Sequence, residues 1–419
     1  MTAGFLQLTI KGEQDVFLTG NPQITFFKSI YKKYSKFSIQ NIIQDYNGTA
    51  DFNNTINISI NKSGDLLKNI YLHLTLPDLI KPDNISWLGY TNNIGCSIID
   101  KVILRINDQI IETIYGDWID IYHNINDIPL QNLTQQYNSE YSLRHTSNIP
   151  LQYRECYIPL PLFFTKQSGL ALPLIALNNS YITLDITFKN LYDVIKISDY
   201  NYINKVSIHP MSKMECNIWG EYIYIDEDEK KKFANFKHEY LIEQLQFNGS
   251  NIINKNETSK LIELDFRHPV KELIWTISTD NTNLDSYLNI DHNNITKYTT
   301  RYSDYKDTFN TLSIQLNNLY LVNNFKADYF RNIQPYYYYK NIRNKYIYSY
   351  SFSLHPKNPQ PSGYLNFSEI NKVLFTFTFN DSALKTSGSA TNGNIRIYAI
   401  NYNILHIHSG QSSLQYYMN

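Results

Sequence analysis

Cysteine is scarce. Cys96, Cys156 and Cys216 are the only three in 419 residues, and no two are close in sequence. An odd, dispersed set excludes a disulfide framework and matches no zinc-site spacing. Each therefore reads as a small buried apolar residue in a chain that folds among reduced thiols. No apolar run reaches the roughly eighteen residues of a membrane-spanning helix, and mean hydropathy is -0.38. Met1-Thr2-Ala3-Gly4 lacks the charged start and apolar continuation of a secretory signal. Excess charge of either sign is also missing: Lys+Arg 37 against Asp+Glu 38 leaves a net charge of -1. That balance argues against a general nucleic-acid binder, whose affinity would rest on phosphate neutralisation.

The sequence is equally short of motifs that carry chemistry. His238-Glu239 continues into Tyr240-Leu241-Ile242, so a zincin helix has no second histidine. There is no glycine-rich phosphate loop and no G-x-S-x-G elbow. Asp226-Glu227-Asp228-Glu229 lacks the glycine and spacing of a calcium loop. His406 and His408 would share one face of a strand, but no third ligand lies nearby, so polar strand residues are the plainer reading. Asp117 and Glu155 each stand without a partner at motif spacing. We assign no catalytic, cofactor-binding or metal residues and expect no cofactor. N-x-[ST] sequons begin at Asn47, Asn53, Asn57, Asn61, Asn84, Asn132, Asn178, Asn248, Asn256, Asn294, Asn366 and Asn380. Glycosylation would fit a surface protein. In an asparagine-rich chain without a signal, coincidence explains most of them, and several fall inside expected strands.

What is abundant is strand-forming material. There are 36 tyrosines and the hydrophobic fraction is 42%, enough for sizeable cores and suited to pleated, half-buried surfaces. Ile182, Leu184, Ile186 and Phe188 alternate with Thr183, Asp185 and Thr187, the period of a strand with one wet face. Just before it, Gly169 to Leu177 is small, apolar and interrupted by Pro173, a tight connection buried against a core. Tyr157 to Phe164 carries two prolines, which suits a sheet edge or corner.

The same alternation marks Ile56-Ile60, Ile70-Leu76 and Val102-Ile106, with Asn107-Asp108 as a hairpin turn into Gln109-Ile110-Ile111. It returns at Met214-Tyr224, Leu261-Phe266, Lys271-Ile277, Tyr346-Phe352, Val373-Phe379 and Ile395-Ile400. The first residues, Phe5 to Ile10, also read as a short strand. Helical spacing appears from Pro22 to about Ser35, with Asn21 as cap and Lys28, Lys32 and Lys36 on a second face. That basic face is either a solvated helix surface or a stripe meeting a partner subunit or an acidic inner surface. A second helix follows Gly116, with Asp117 as cap. A third begins at Asp226, where acids precede bases and Asp226 and Glu229 form a capping-box-like pair. Residues 278–306 read as a long surface loop. The fold class is all-β, at a length that suits two sandwiches of roughly 200 residues. The expected division is an N-terminal arm at 1–24, a first sandwich at 25–198, a linker at 199–212 and a second sandwich at 213–419.

Several segments, in order along the chain, resemble the major capsid proteins of nucleocytoplasmic large DNA viruses, the phycodnavirus, iridovirus and mimivirus groups. They are Gly12 to Lys28, Tyr115-Gly116-Asp117-Trp118, Pro159 to Leu177, Tyr240 to Gln244, His268 to Trp275, Gln360-Pro361-Ser362-Gly363 with Asn366-Phe367-Ser368, and Tyr398 to Asn403 with Ser409-Gly410. The resemblance implies a double jelly roll: two consecutive eight-stranded jelly-roll sandwiches with a few short helices and an N-terminal arm on the inner side of a shell. It implies homotrimers of pseudo-hexagonal outline that tile an icosahedral capsid, located in the virion and assembled in the host cytoplasm. Implied partners are other copies of the chain, neighbouring capsomers, minor capsid and penton proteins, and inner membrane-associated viral proteins. No specific nucleic acid and no small-molecule substrate is implied. Tyr336 to Tyr339 read either as a subunit contact or as local packing beneath a loop. Alternatives are a minor or specialised capsomer paralogue, an assembly scaffold and, more remotely, a carbohydrate-binding jelly-roll protein.

Overall fold

The computed structural model describes residues 2–91, 93–128, 133, 154–254, 257–279, 307–340, 346–379, 385–386, 389–390 and 392–416. Most of the loop expected at 278–306, and the sequons at Asn132, Asn256, Asn294 and Asn380, lie outside them. The chain divides into two compact units, Met1–Lys36 and Phe37–Asn419.

In the larger unit, sixteen principal strands fall into two sets of eight. The first set is β1 (Phe37–Gln44), β2 (Thr55–Ser59), β3 (Leu66–Thr75), β4 (Ile99–Ile106), β5 (Gln109–Tyr115), β6 (Glu155–Pro159), β7 (Ile182–Phe188) and β8 (Glu215–Ile225). They form two antiparallel sheets, ordered β1-β8-β3-β6 and β2-β7-β4-β5. The second set is β9 (His238–Ile253), β10 (Ser259–Glu263), β11 (Pro269–Thr279), β12 (Thr311–Leu316), β13 (Leu319–Lys326), β14 (Tyr348–Ser351), β15 (Val373–Thr378) and β16 (Gly393–His408). Their sheets run β9-β16-β11-β14 and β10-β15-β12-β13. Strand for strand, the second order repeats the first. In each set the eighth strand returns beside the first, which makes both sandwiches jelly rolls.

Side-chain alternation explains why these segments pair as they do. Ile182, Leu184, Ile186 and Phe188 are buried while Thr183, Asp185 and Thr187 are half-buried. A register slip of one residue would invert that face, so the pairing of β7 with β2 and β4 is strongly fixed. The β4–β5 hairpin turns through Asn107 (φ 50) and Asp108 (φ 64), the left-handed pair a two-residue turn demands. Pro159 ends β6 at a sheet edge, where its missing N–H costs no ladder bond. All three cysteines are buried, and burial pushes the Cys156 and Cys216 thiols up to about 12.

Three expectations need correction. The strand expected to open the second sandwich, β8, instead completes the first, pairing with β1 on one side and β3 on the other. The polar stretch 199–212 misled because its Tyr200–Lys205 turn and its Ser207–Ile208 bridge to Leu79–Ile80 form a strap belonging to the first sandwich. A jelly roll cannot close without its last strand, so the chain crosses to the second sandwich only at α3 (Glu227–Asn235), capped by Asp226. In the N-terminal unit, Phe5–Ile10 is not a strand: residues Ala3–Thr9 form helix α1. Nor is Pro22–Ser35 a helix. Asn21 sits at φ 49, outside the extended region a cap needs. Ile24, Phe27, Ile30, Tyr31 and Tyr34 are all exposed; an amphipathic stripe stabilises a helix only when something buries it.

Because residues 1–36 contribute no buried side chain to the described structure, their deletion is expected to leave the melting temperature and near-ultraviolet circular dichroism of the rest unchanged. A cooperative loss of several degrees would show that the arm is part of the fold.

Candidate functional site

The two sandwiches meet along a seam that holds several buried polar and charged side chains, among them Glu112, Asp117, Gln244, Lys271 and Asn403. From the first sandwich the seam uses β5 and the helix that follows directly, α2 (Gly116–Ile125). Gly116 permits that junction: a Cβ there would stand 2.2 Å from the carbonyl oxygens of both Cys96 and Ile99. Tyr115 takes the cap position, which leaves Asp117 in the first turn. Its carboxylate accepts the Trp118 N–H at 3.0 Å and reaches across the seam to β16. There it pairs with Arg396 Nε at 2.6 Å and accepts the Tyr398 hydroxyl, also at 2.6 Å. Burial, and then the Asp117 charge, push the Tyr398 hydroxyl well above its ordinary range. Aromatic rings close over this joint. Trp118 lies 5.2 Å from Tyr398, Tyr115 lies 4.9 Å from Phe247 on β9, and the Arg396 guanidinium sits 4.4 Å above the Phe247 ring.

Beside it, Gln244 on β9 donates to the Ile111 carbonyl of β5 and accepts from Asn403 at 2.8 Å. A second ionic group follows. Glu112 accepts the Phe163 N–H at 2.7 Å and faces Lys166 at 3.6 Å, and Lys166 in turn lies 3.9 Å from Glu243. Glu243 pairs with Lys271, whose ammonium also donates to the Pro356 carbonyl at 2.9 Å. Burial raises Glu112 above the usual carboxylate range against the pull of Lys166. Burial acts the same way on Glu243, but Lys271 and Lys166 outweigh it and hold that carboxyl low. For Lys271, burial would lower the ammonium; Glu243 and Glu272 outweigh it and hold it above its ordinary value. A cavity of about 210 Å³ opens here, walled by Trp118, Tyr122, Tyr402 and Ile400. Its charged groups are engaged with one another, the arrangement of a joint between rigid bodies.

The residues singled out in the sequence are scattered. His406 contacts Gln415 and lies 3.6 Å from Glu239, while His408 is exposed. Among the described residues no group of three or more His, Cys, Asp or Glu is placed to hold a metal ion. Lys28, Lys32 and Lys36 lie in the N-terminal unit, on no helix. Tyr336 and Tyr337 are exposed on α4 (Gln334–Tyr339), whereas Tyr339 is buried. Asn57 is inside β2, hydrogen-bonded to Asp185. Sequence reasoning left Asp117 unpartnered and missed the seam altogether. A signal for it existed: residues 270–277 and 397–403 are buried without alternation, and near-continuous apolar runs such as Leu273-Ile274-Trp275 mark strands covered on both faces.

Removing one partner from a buried ion pair strands the other. Asp117→Ala is therefore expected to lower unfolding stability by about 3 kcal/mol, and Tyr398→Phe by about 1 kcal/mol, both measurable by urea titration. The seam also sets a pH window. The depressed Glu243 contributes stability present above its ordinary 4.5 and lost as pH falls through its folded value. The elevated Lys271 contributes stability present below its ordinary 10.5 and lost as pH rises through its folded value. Melting temperature should fall on both sides of that window, and both limbs should be shallower in a Glu243→Gln/Lys271→Met variant.

Two family descriptions match in tandem: the major capsid protein N-terminus over residues 25–226, and the large eukaryotic DNA virus major capsid protein over residues 229–413. The chain is 32% identical to the major capsid protein of Paramecium bursaria Chlorella virus 1, covering 99% of this chain and 100% of that one. It is 30% identical, over the same shares, to the major capsid protein of Pyramimonas orientalis virus. Among solved structures, the PBCV-1 virus capsid matches with a TM-score of 0.75 at 28% identity, covering 94% of this chain and 100% of that chain. The Faustovirus major capsid protein, 12% identical with a TM-score of 0.71 over 95% and 94% of the two chains, shares the fold. Two jelly rolls in tandem, clamped by a buried seam and matched along nearly their whole length, place this chain in the major capsid protein family of the large eukaryotic DNA viruses.

Proposed function

We propose that this protein works by self-association and not by catalysis. It is the shell-forming subunit of the virion, three copies making a capsomer of pseudo-hexagonal outline that tiles an icosahedral capsid. The observation that carries this reading is the seam. Its buried charges are spent on holding two equivalent sandwiches as one body, which is what a tile needs and a reaction centre does not. A rigid tile presents the same edges in every copy, so its contacts lose little conformational entropy when they form. Minor capsid and penton proteins and inner membrane-associated viral proteins are the further partners of such a shell, and the host cytoplasm is its place of assembly. The division we propose is an arm at 1–36 and two sandwiches meeting at α3.

Native mass measurement of the purified protein tests the central claim. About three times the chain mass of 49.2 kDa is expected; a stable monomer across micromolar concentrations would sink it.

A further inference from the structure

In the cavity at the seam, ionic pairing leaves hydrogen-bond donors over. Trp118 and Lys166 both line it. Trp118 is 1% exposed, and its indole N–H is buried without a hydrogen-bond partner. The Lys166 ammonium has donors to spare and accepts nothing. Its carboxylate neighbours, Glu112 at 3.6 Å and Glu243 at 3.9 Å, stand beyond ordinary hydrogen-bond length. On the acceptor side, Oε1 of Glu112 is also buried with no hydrogen bond. Leaving such groups unfilled is costly, and folded proteins fill nearly all of them.

The charge around the cavity limits what can enter. Lys271 pairs with Glu243 and lies 3.9 Å from Glu272. Lys357 pairs with Asp127 at 2.6 Å, and Lys166 stands between Glu112 and Glu243. An anion here would meet the carboxylates and a cation the ammoniums, so the occupant is neutral. It must accept from N–H groups and donate to carboxylate oxygens, which is what a hydroxyl does. The walls ask for carbon as well: Trp118, Tyr122 and Tyr402 contribute rings, and Leu170, Pro356 and Ile400 apolar surface. At about 210 Å³, the cavity equals roughly seven waters of about 30 Å³ each, room for a short carbon chain or ring bearing several hydroxyls. One end meets solvent, where the lining residues Ile128, Leu241, Lys357 and Asn358 are exposed.

We propose that this cavity binds a small neutral polyol of monosaccharide size. Its hydroxyls accept from Trp118 Nε1 and Lys166 Nζ and donate to the carboxylates beside Lys166. Water makes the same hydrogen bonds, so the polyol binds by exchange and gains contact between its C–H groups and the rings. The ligand touches both sandwiches, Trp118 and Lys166 on one side and Glu243, Ile400 and Tyr402 on the other. It therefore binds their joined placement and stabilises the seam by mass action. The site lies within a single chain and does not depend on the self-association reading.

The test uses the full chain, with erythritol, sorbitol and methyl glucoside as neutral probes and inorganic phosphate as a charged one. Saturation-transfer NMR should give a saturable signal for at least one neutral probe and none for phosphate. Saturation matters because sugars also stabilise proteins by exclusion from the surface, an effect without a plateau. Lys166→Met should weaken binding about tenfold, the loss of a hydrogen bond from a charged donor. Leu170→Trp, which fills the cavity and leaves its polar groups in place, should abolish binding. Circular dichroism melting checks that each variant folds. Where one does not, a density map of the unaltered protein with the probe decides: the probe must lie within hydrogen-bond reach of Trp118 Nε1 and Lys166 Nζ. No saturable signal from any neutral probe, a signal unchanged in both variants, phosphate binding in place of the polyols, or a map with only water in the cavity overturns the proposal.

Discussion

The structure depends on one buried carboxylate. Asp117, in the first turn of the helix that follows one sandwich's outer strand β5, is held by a guanidinium and a phenol from the other sandwich. Burying a charge is costly unless it is paired and hydrogen-bonded. A joint built this way tolerates only one relative placement of the two sandwiches, because any sliding strands Asp117, Arg396 or both. Apolar contact alone would permit small shifts; the polar seam fixes the registration. The neighbouring Glu112–Lys166–Glu243–Lys271 group adds further pairings that must be satisfied together.

That registration bears on the edges. Jelly rolls hide most of their hydrogen-bonding edges by pairing first and last strands, yet each still ends in outer strands. The seam covers two of them, β5 and β9, by setting one against the other. Among the outer strands that remain, β1 and β13 are the counterparts of β9 and β5, and between them they carry one charged side chain, Lys326.

Much of the fold was readable because the strand period is short and local. β2, β3, β4, β7 and β15 alternate buried and half-buried residues as their sequences do, and Asn107-Asp108 forms the turn its composition suggested. The helix after Gly116 was equally plain. What failed were inferences that needed a distant partner. β8 looked like the start of a second domain because a polar stretch precedes it, although it is the strand the first sandwich needs to close. Pro22 to Ser35 has a helical pattern that no described residue buries. Asp117 looked solitary because its partners stand 279 and 281 positions away.

The sequence by itself determined many of the strands, their inward faces, the Asn107-Asp108 turn and, through segments in family order, the kinship. These follow from interactions within a few residues, where side-chain periodicity and backbone preference act directly. Tertiary structure alone decided which sandwich owns β8, which carboxylate locks the seam, and which edges the chain leaves uncovered. Each of those depends on surfaces brought together across hundreds of residues, and no local pattern records what lies on the other side.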